Sequence, residues 1–259
     1  MTEAMTSPDP ARVNVWRAQA LRFTVFKETP TDPEKTDWWA EVVGQPPENR
    51  IERVRERVLQ DSGSLPDEPA ESLILKIESE KIDWILQRTP AETDDESDLH
   101  THTLGTFDEA ITRFRVALDR WIPNMPAVRR LAFGADVLQH ATDHNAAYKL
   151  LNDYLLFDVN GTATDLLFRI NRKVASRVLT DTQINRLATW SAVNFQAARL
   201  STAARVAPGL HFLFTACRLQ LDINTEANRD LPIEPDQIPL VLDELVGHAR
   251  MIAAEGDQG

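Results

Sequence analysis

The chain has 259 residues, of which 42% are hydrophobic and 26% are charged, and this composition is that of a globular protein rather than a disordered or fibrous one. Forty acidic against 28 basic residues give a formal net charge of −12, which opposes binding to nucleic acid and to anionic membranes. The single cysteine, Cys217, excludes an intrachain disulfide. No run approaches the roughly 20 apolar residues of a membrane helix, and the first residues lack the pattern of a secretory signal. We therefore expect a soluble cytoplasmic protein that binds neither nucleic acid nor membrane.

The first elements along the chain follow a flexible leader, which we expect over residues 1–12. QALRFTVFKE (19–28) alternates apolar and polar side chains, and this period of two predicts a strand with one buried face. DWWAEVVG predicts a short helix that ends at Gly44. RIERVRERVLQDSG (50–63) fits a helix or a strand, and the strand is favoured. DSGSLPDEPA (61–70) is rich in turn-forming residues and predicts a loop.

A hairpin and a long helix complete the first half. SLILKIESEKIDWILQR (72–88) alternates, turns at Ser79-Glu80 and alternates back, which predicts two antiparallel strands. TPAETDDESDLHTH (89–102) predicts an acidic exposed linker. Thr106 and Glu109 have the spacing of a helix capping box, and an apolar stripe follows up to Pro123.

The second half repeats this order of elements. A strand over 127–140 is followed by a short helix, three alternating strands and a long helix from Asp236 towards Ala253. Of the three strands, CRLQLDIN (217–224) alternates most clearly, with Cys217 and its even-spaced apolar neighbours facing inward.

Two similar halves predict the fold. We expect one domain with a first half over 13–122, a second half over 123–254 and a tail at 255–259. Each half would bury a face that it cannot cover alone, so the two would share one curved antiparallel sheet with both long helices on one face. This α+β arrangement resembles, in topology, the duplicated saddle of TATA-binding-protein-like folds. A helix-grip sheet around one long C-terminal helix is the alternative.

Histidine pairs are the first candidates for a metal site. His140 and His144 of HATDH could bind a metal only on one helical turn, but the segment predicts a strand end followed by a helix cap at Thr142 or Asp143. HTHT, with His100 and His102, contains half of a binuclear-hydrolase motif and lacks the Asp-His half. We expect no metal site, although a site that joined all four histidines would give a metal-dependent hydrolase.

Other catalytic motifs are missing from the sequence. Neither a glycine-rich phosphate loop nor a G-x-S-x-G elbow occurs. Cys217 faces inward on a strand, where cysteine usually acts as a small apolar residue. We therefore expect no catalytic residue and no cofactor, and an enzyme is the less favoured interpretation.

The one internal echo with polar content is INR, at 170–172 and again at 184–186. Each copy sets an Asn and an Arg beside an apolar Ile in a strand, within a locally basic region. These side chains could hold an anionic ligand or an acidic partner through charge-assisted hydrogen bonds, or they could serve as cross-strand pairs that fix register. The candidate binding residues are Asn171, Arg172, Asn185, Arg186 and Trp190.

The segments LLFRINR, INRLATWS, CRLQLDIN and LVLDELVGHA, within residues 165–254, resemble a family of sporadically distributed bacterial proteins without an established activity. The resemblance implies an α+β fold, and genes of this kind often lie in mobile or defence islands. A non-enzymatic protein that binds another protein or self-associates is therefore the favoured function. The alternative is a small-molecule binding protein or enzyme with its pocket between the sheet and the long helices.

Overall fold

The computed structural model describes residues 10–13, 15–29, 36–89, 99–159, 163–199, 209–227 and 231–257. These residues form one nine-stranded antiparallel sheet with five α-helices, so the predicted α+β class is confirmed. The strands are β1 (Arg17–Lys27), β2 (Asn49–Arg53), β3 (Val58–Leu65), β4 (Glu68–Ile77), β5 (Lys81–Arg88), β6 (Val128–Ala141), β7 (Leu167–Ala175), β8 (Gln183–Arg199) and β9 (Gly209–Thr225). The helices are α1 (Pro10–Val13), α2 (Trp38–Val43), α3 (Phe107–Trp121), α4 (His144–Asn152) and α5 (Ile238–Glu255).

The strand order is β2-β3-β4-β5-β1-β6-β9-β8-β7. The first strand of each predicted half therefore lies at the centre, where β1 pairs with β6 and Phe23 is opposite Phe133. Strands β2 and β7 form the two edges of the sheet. The two predicted halves differ in the number of strands between their helices. Four strands lie between α2 and α3, whereas three lie between α4 and α5.

One face of the sheet, here called the inner face, packs against the helices. Its apolar side chains join those of the helices in a single buried cluster that runs the length of the sheet. Phe23 of β1, Phe133 of β6 and Trp190 of β8 are each at most 1% exposed, as is Trp121 of α3. Burial of this apolar surface is the main stabilising contribution to the fold.

Local signals set the helix boundaries as the sequence predicts. The Thr106 hydroxyl accepts from the backbone N–H of Glu109, whose carboxylate accepts from the N–H of Thr106, and α3 begins there. Asp143 accepts from the N–H of Ala146 at 2.8 Å and caps α4. Gly44 ends α2 with a φ of 78°, in the left-handed region that glycine adopts without a steric cost.

The predicted loop over residues 61–70 is wrong. Strand β3 continues to Leu65, β4 begins at Glu68, and only Pro66 and Asp67 turn. Asp61 belongs to the strand because its carboxylate accepts both Nε and Nη2 of Arg50, at 2.7 and 2.9 Å, and is thereby satisfied although buried. The favoured strand assignment for 50–63 is correct in type, but the segment is a hairpin, β2 and β3, with a turn at Val54–Glu56.

The first and the last of the described segments, 10–13 and 231–257, contact the core. Val13 of α1 is 1% exposed, and Trp16 donates its indole N–H to the carbonyl of Ala253 at 2.8 Å. At the other end, Asp257 is 7% exposed and donates its backbone N–H to the carbonyl of Tyr154. Residues 1–9 of the predicted leader lie outside the described residues.

None of the described helices combines the length and the apolarity needed to cross a bilayer.

Candidate partner-binding face

The five residues predicted from the INR echo lie on opposite faces of the sheet. Successive side chains of a strand alternate between faces, so the Asn and the Arg of each INR diverge. Asn171 and Asn185 project to the face opposite the inner one, here called the outer face, and the amide of Asn171 donates to Asn185 Oδ1 at 3.2 Å. Arg172, Arg186 and Trp190 project to the inner face.

The inner three are held within the protein. Arg172 donates Nε and Nη2 to the carboxylate of Asp257, at 2.7 and 3.1 Å, and this hydrogen bonding raises the pKa of Arg172. Arg186 is 7% exposed, and burial together with the neighbouring Arg172 lowers its pKa. Trp190 is fully buried and stacks on Tyr154 with ring centroids 5.3 Å apart.

The cavity beside these three residues is very small. It measures about 20 Å³ and lies between β7, β8 and the end of α5. Such a volume holds about one water molecule. The five predicted residues therefore do not line a common ligand pocket.

The histidines are found on separate elements. His140 is exposed on β6, whereas His144 is the first residue of α4 and lies edge-on to Tyr148, with centroids 4.4 Å apart. The strand end and helix cap predicted for HATDH are confirmed. His102 lies in the short turn Leu99–His102 beside Phe214, and the side chain of His100 lies outside the described residues. Among the described residues, no three His, Cys, Asp or Glu side chains form a metal-binding group.

Cys217 is on the inner face of β9 and fully buried. Burial raises the pKa of its thiol far above the ordinary value, so the nucleophilic thiolate is not formed at neutral pH. The inward orientation predicted for Cys217 is confirmed.

A groove with a volume of about 560 Å³ lies on the outer face. We call it the outer groove. Six adjacent strands, β5, β1, β6, β9, β8 and β7, contribute to it. Its lining residues are Ala20, Leu21, Arg22, Ile85, Gly134, Ala135, Asp136, Leu167, Arg169, Leu187, Thr189, Gln220, Leu221 and Asp222.

Small residues at the sheet centre make this depression. Gly134 of β6 lies directly opposite Arg22 of β1 on one side and Asp222 of β9 on the other. A Cβ on Gly134 would be 3.4 Å from Arg22 Nε and 3.5 Å from the carbonyl oxygen of Leu221, which is ordinary contact. The groove floor at Gly134 therefore exists because a side chain is missing there, while the taller Ile85 and Leu187 stand on either side.

Charges of both signs line the outer groove. Arg22 Nη2 lies 4.0 Å from Asp222 Oδ2, and Arg218 donates both Nε and Nη2 to Asp136, the former at 2.8 Å. This hydrogen bonding raises the pKa of Arg218. Next to the groove, Asn224 accepts from Asn185 at 3.1 Å and from Arg130 at 2.8 Å, which extends the Asn171–Asn185 bond into a ladder across three strands.

The sequence interpretation missed Arg22, Gly134, Asp136 and Thr189. The sequence does contain a signal for them, because all four occupy outward positions of alternating strands. Polar and very small residues at such positions leave that face of the sheet uncovered. That signal does not tell which strands are neighbours, so the groove depends on the strand order.

A second cavity of about 270 Å³ lies between α3 and α5. Arg115 of α3 pairs with Asp243 of α5, and Arg250 donates to Asp108 at 2.6 Å, so ion pairs bridge the two helices along it. This cavity is bounded by the groups that join the helices to each other, whereas none of the described helices lines the outer groove. The short turn Leu99–His102 packs elsewhere on the outer face, against Leu138 and Phe214.

No protein-family model, curated protein or solved structure matches the chain.

Proposed function

We propose that this chain is a non-enzymatic protein-binding protein whose partner docks in the outer groove. The observation that carries the proposal is a groove of about 560 Å³ formed by six strands and lined by none of the described helices. Among the described residues the groove is lined by strands alone, and its apolar walls, Ile85 and Leu187, are half-buried. Apolar side chains grouped in an open depression with a polar rim are typical of an interaction site.

The charges favour a protein partner over nucleic acid. The groove lining includes Arg22 and Arg169 as well as Asp136 and Asp222, so both signs are present and neither dominates. The formal net charge of −12 repels a polyphosphate backbone at longer range. Between the sheet and the long helices, the cavity beside Arg172 is water-sized, and the cavity of about 270 Å³ between α3 and α5 is flanked by ion pairs that join the two helices. The outer groove is about twice as large as the latter and is therefore the better-supported site.

The strand order supports a finer arrangement, which we include in the proposal. The run from β1 to α3 and the run from β6 to α5 have the same order of element types apart from one extra strand, and their first strands pair at the sheet centre. We therefore propose two duplicated halves that form a saddle resembling TATA-binding-protein-like folds. The outer groove would then be the underside of the saddle.

The family resemblance over residues 165–254 supports a setting for this function. We propose a bacterial origin, a cytoplasmic location and membership in a mobile or defence system, in which a binding role would not require catalytic residues. The single, buried Cys217 is compatible with a reducing compartment.

Site-specific photo-crosslinking tests the proposal in cells of the source organism. A photoreactive phenylalanine analogue replaces Thr189 in the groove or Leu240, which is 55% exposed on α5. We expect an adduct of defined mass at position 189 and none at 240. An adduct of twice the chain's own mass would identify a second copy as the partner.

A matched pair of valine substitutions locates the contact. Gly134→Val fills the groove floor, and because valine favours strands we expect the variant to fold. Ser62→Val adds a similar side chain to the same face on β3, four strands away from β6. Loss of the adduct in the first variant alone supports docking in the groove. Equal adducts at 189 and 240, or none at either, would refute it.

A further inference from the structure

Strand β7 is an edge of the sheet, and its nine residues are paired on one side only. Its backbone pairs with β8 from Leu167 to Ala175, and no backbone–backbone hydrogen bond joins its other side to any described residue. An edge of this length is a template for one more strand, because its outward N–H and C=O groups lack partners in the sheet. The opposite edge, β2, has only five residues.

The outer side of β7 carries exposed positive charge. Arg169 and Lys173 are both exposed and project to the same face as the outer groove, on either side of Asn171. Within the described part of the chain, neither has an ion-pair partner. This contrasts with Arg172 on the inner side, which is paired with Asp257.

Large apolar side chains are exposed at the start of β7. Leu167 is 66% exposed, and just upstream Leu156 and Phe157 are 66% and 43% exposed. Phe157 lies edge-on to Phe168 at 5.1 Å, which holds this apolar group against the edge strand. Exposed apolar groups beside unpaired backbone are typical of an interface.

A second copy of the chain does not fit this edge well. Two β7 strands that overlap fully in the antiparallel sense, centred on Asn171, would set Arg169 opposite Lys173 twice. The parallel in-register pair would set each cation opposite itself. Like charges directly opposite each other destabilise a strand pair, so the favourable occupant carries acidic residues at these positions.

We propose that the edge of β7 takes an extended acidic segment of the partner protein as a tenth strand. Aspartate or glutamate side chains of that segment face Arg169 and Lys173, and the apolar residues that alternate with them lie on the inner side, beside Phe168 and Phe157. The inference deepens the proposed function, on which it rests, by naming the chemistry of the partner. A strand added there would also form the far wall of the outer groove, since Leu167 and Arg169 line it.

Defined peptides test the proposal without knowledge of the partner. The probe is a fluorescein-labelled peptide of four Glu-Val repeats, with four Lys-Val repeats as its counterpart, and binding is followed by fluorescence anisotropy at low salt. We expect the acidic peptide to bind and the basic one not to bind. The chain's net charge of −12 repels an acidic peptide elsewhere, so binding reports a local site. Hydrogen exchange should slow at the amides of β7.

Two double variants with the same change of charge distinguish binding at the β7 edge from an effect of the overall charge of the protein. Arg169→Glu with Lys173→Glu reverses the charge of β7, and Arg53→Glu with Arg55→Glu does so at exposed positions on and beside β2. The β7 variant should lose about tenfold in affinity for the acidic peptide and gain affinity for the basic one, while the β2 variant stays within about twofold of the wild type.

Three results would overturn the edge proposal: no binding of the acidic peptide up to about 1 mM, equal losses in both variants, or protection elsewhere than β7. These outcomes are distinguishable from failure of the groove. If an adduct at Thr189 is lost in Gly134→Val but no peptide binds, the edge proposal is refuted and the groove proposal stands. If the acidic peptide binds but no adduct forms, the groove proposal is refuted and the edge proposal stands.

Discussion

Gly256→Ala should destabilise the protein by more than a glycine-to-alanine change at a positive φ normally does. Gly256 follows α5 with φ 71° and ψ −147°, a region that residues with a Cβ rarely adopt. A Cβ there would be 2.1 Å from the carbonyl oxygen of Tyr154 and 2.7 Å from its carbonyl carbon, both backbone atoms that cannot swing aside. The protein must therefore release its C-terminal residues from Tyr154.

The structure sets the size of that loss. Release of the segment breaks the hydrogen bond from Asp257 N–H to the Tyr154 carbonyl, worth about 1 kcal/mol net. It also breaks the two charge-assisted bonds from Arg172 to Asp257, whose side chain is buried. Together these losses should exceed the conformational cost of a positive φ alone and reach at least about 2 kcal/mol, which corresponds to a Tm lower by about 4 °C for a chain of 259 residues.

Gly44→Ala is the matched control, because Gly44 also has a positive φ, of 78°, but a Cβ added there would meet no atom of the surrounding protein within 4 Å. It should lose only the conformational term of about 1 kcal/mol. Urea unfolding followed by tryptophan fluorescence gives both free energies of unfolding. Asp257→Asn, which keeps the backbone bond to Tyr154, should reproduce only part of the Gly256→Ala loss, and the two changes together should add little to the loss of Gly256→Ala alone. Equal losses at Gly44 and Gly256 would refute the proposed steric contact.

Two further predictions concern buried titratable groups. Burial, with Arg186 and Arg177 nearby, lowers the pKa of His248 to about 4 from an ordinary 6.5. The unfolded chain therefore takes up a proton first as the pH falls, so this residue should reduce stability between about pH 6.5 and pH 4, by up to about 3 kcal/mol. In His248→Leu the urea midpoint should change less with pH over that range than in the wild type. An unchanged pH dependence of the midpoint would contradict the burial of His248. Cys217, whose pKa is raised by burial, should react with a disulfide reagent only as fast as the chain unfolds. Ser191→Cys on the outer face provides the accessible control, and rapid native labelling of the wild type would contradict the inward orientation of Cys217.

Sequence periodicity was sufficient where one face of a strand is buried and its ends are marked by local chemistry. The β4–β5 hairpin follows from alternation on both sides of Ser79, and α3 begins at Thr106 because the side chains that satisfy its first N–H groups are neighbours in sequence. In both cases the determining contacts lie within a few residues of one another.

Tertiary partners explain why residues 61–65 form a strand although their composition predicts a loop. Asp61 and Gly63 are typical of turns, yet Asp61 lies in β3 beneath Arg50. A Cβ on Gly63 would be 3.2 Å from both the Trp39 ring and the Glu48 side chain, so close packing against α2 and the residues after it restricts this position to a small residue. Neither contact is visible from local propensity.

The INR residues show how strand alternation divides one motif between two faces of the sheet. The period of two in a strand already separates Asn171 from Arg172, so one ligand could not contact both side chains from one side of the sheet. Once the faces are separated, each half of the motif has its own role. Arg172 binds Asp257 on the inner face, while Asn171 begins the asparagine ladder on the outer face.

The outer groove depends on information that no single strand contains. Five strands each contribute an outward residue that does not mark a site by itself. These residues are Ile85, Arg22, Gly134, Gln220 and Thr189. They meet because β1 pairs with β6, which brings the first and second halves of the chain together at the sheet centre. Pairing across that centre buries Phe23 opposite Phe133 on the inner face, so the same register that closes the core leaves Gly134 opposite Arg22 outside. The position of the groove is therefore a consequence of core packing. Binding of a partner in the groove would depend on the register in which these strands pair.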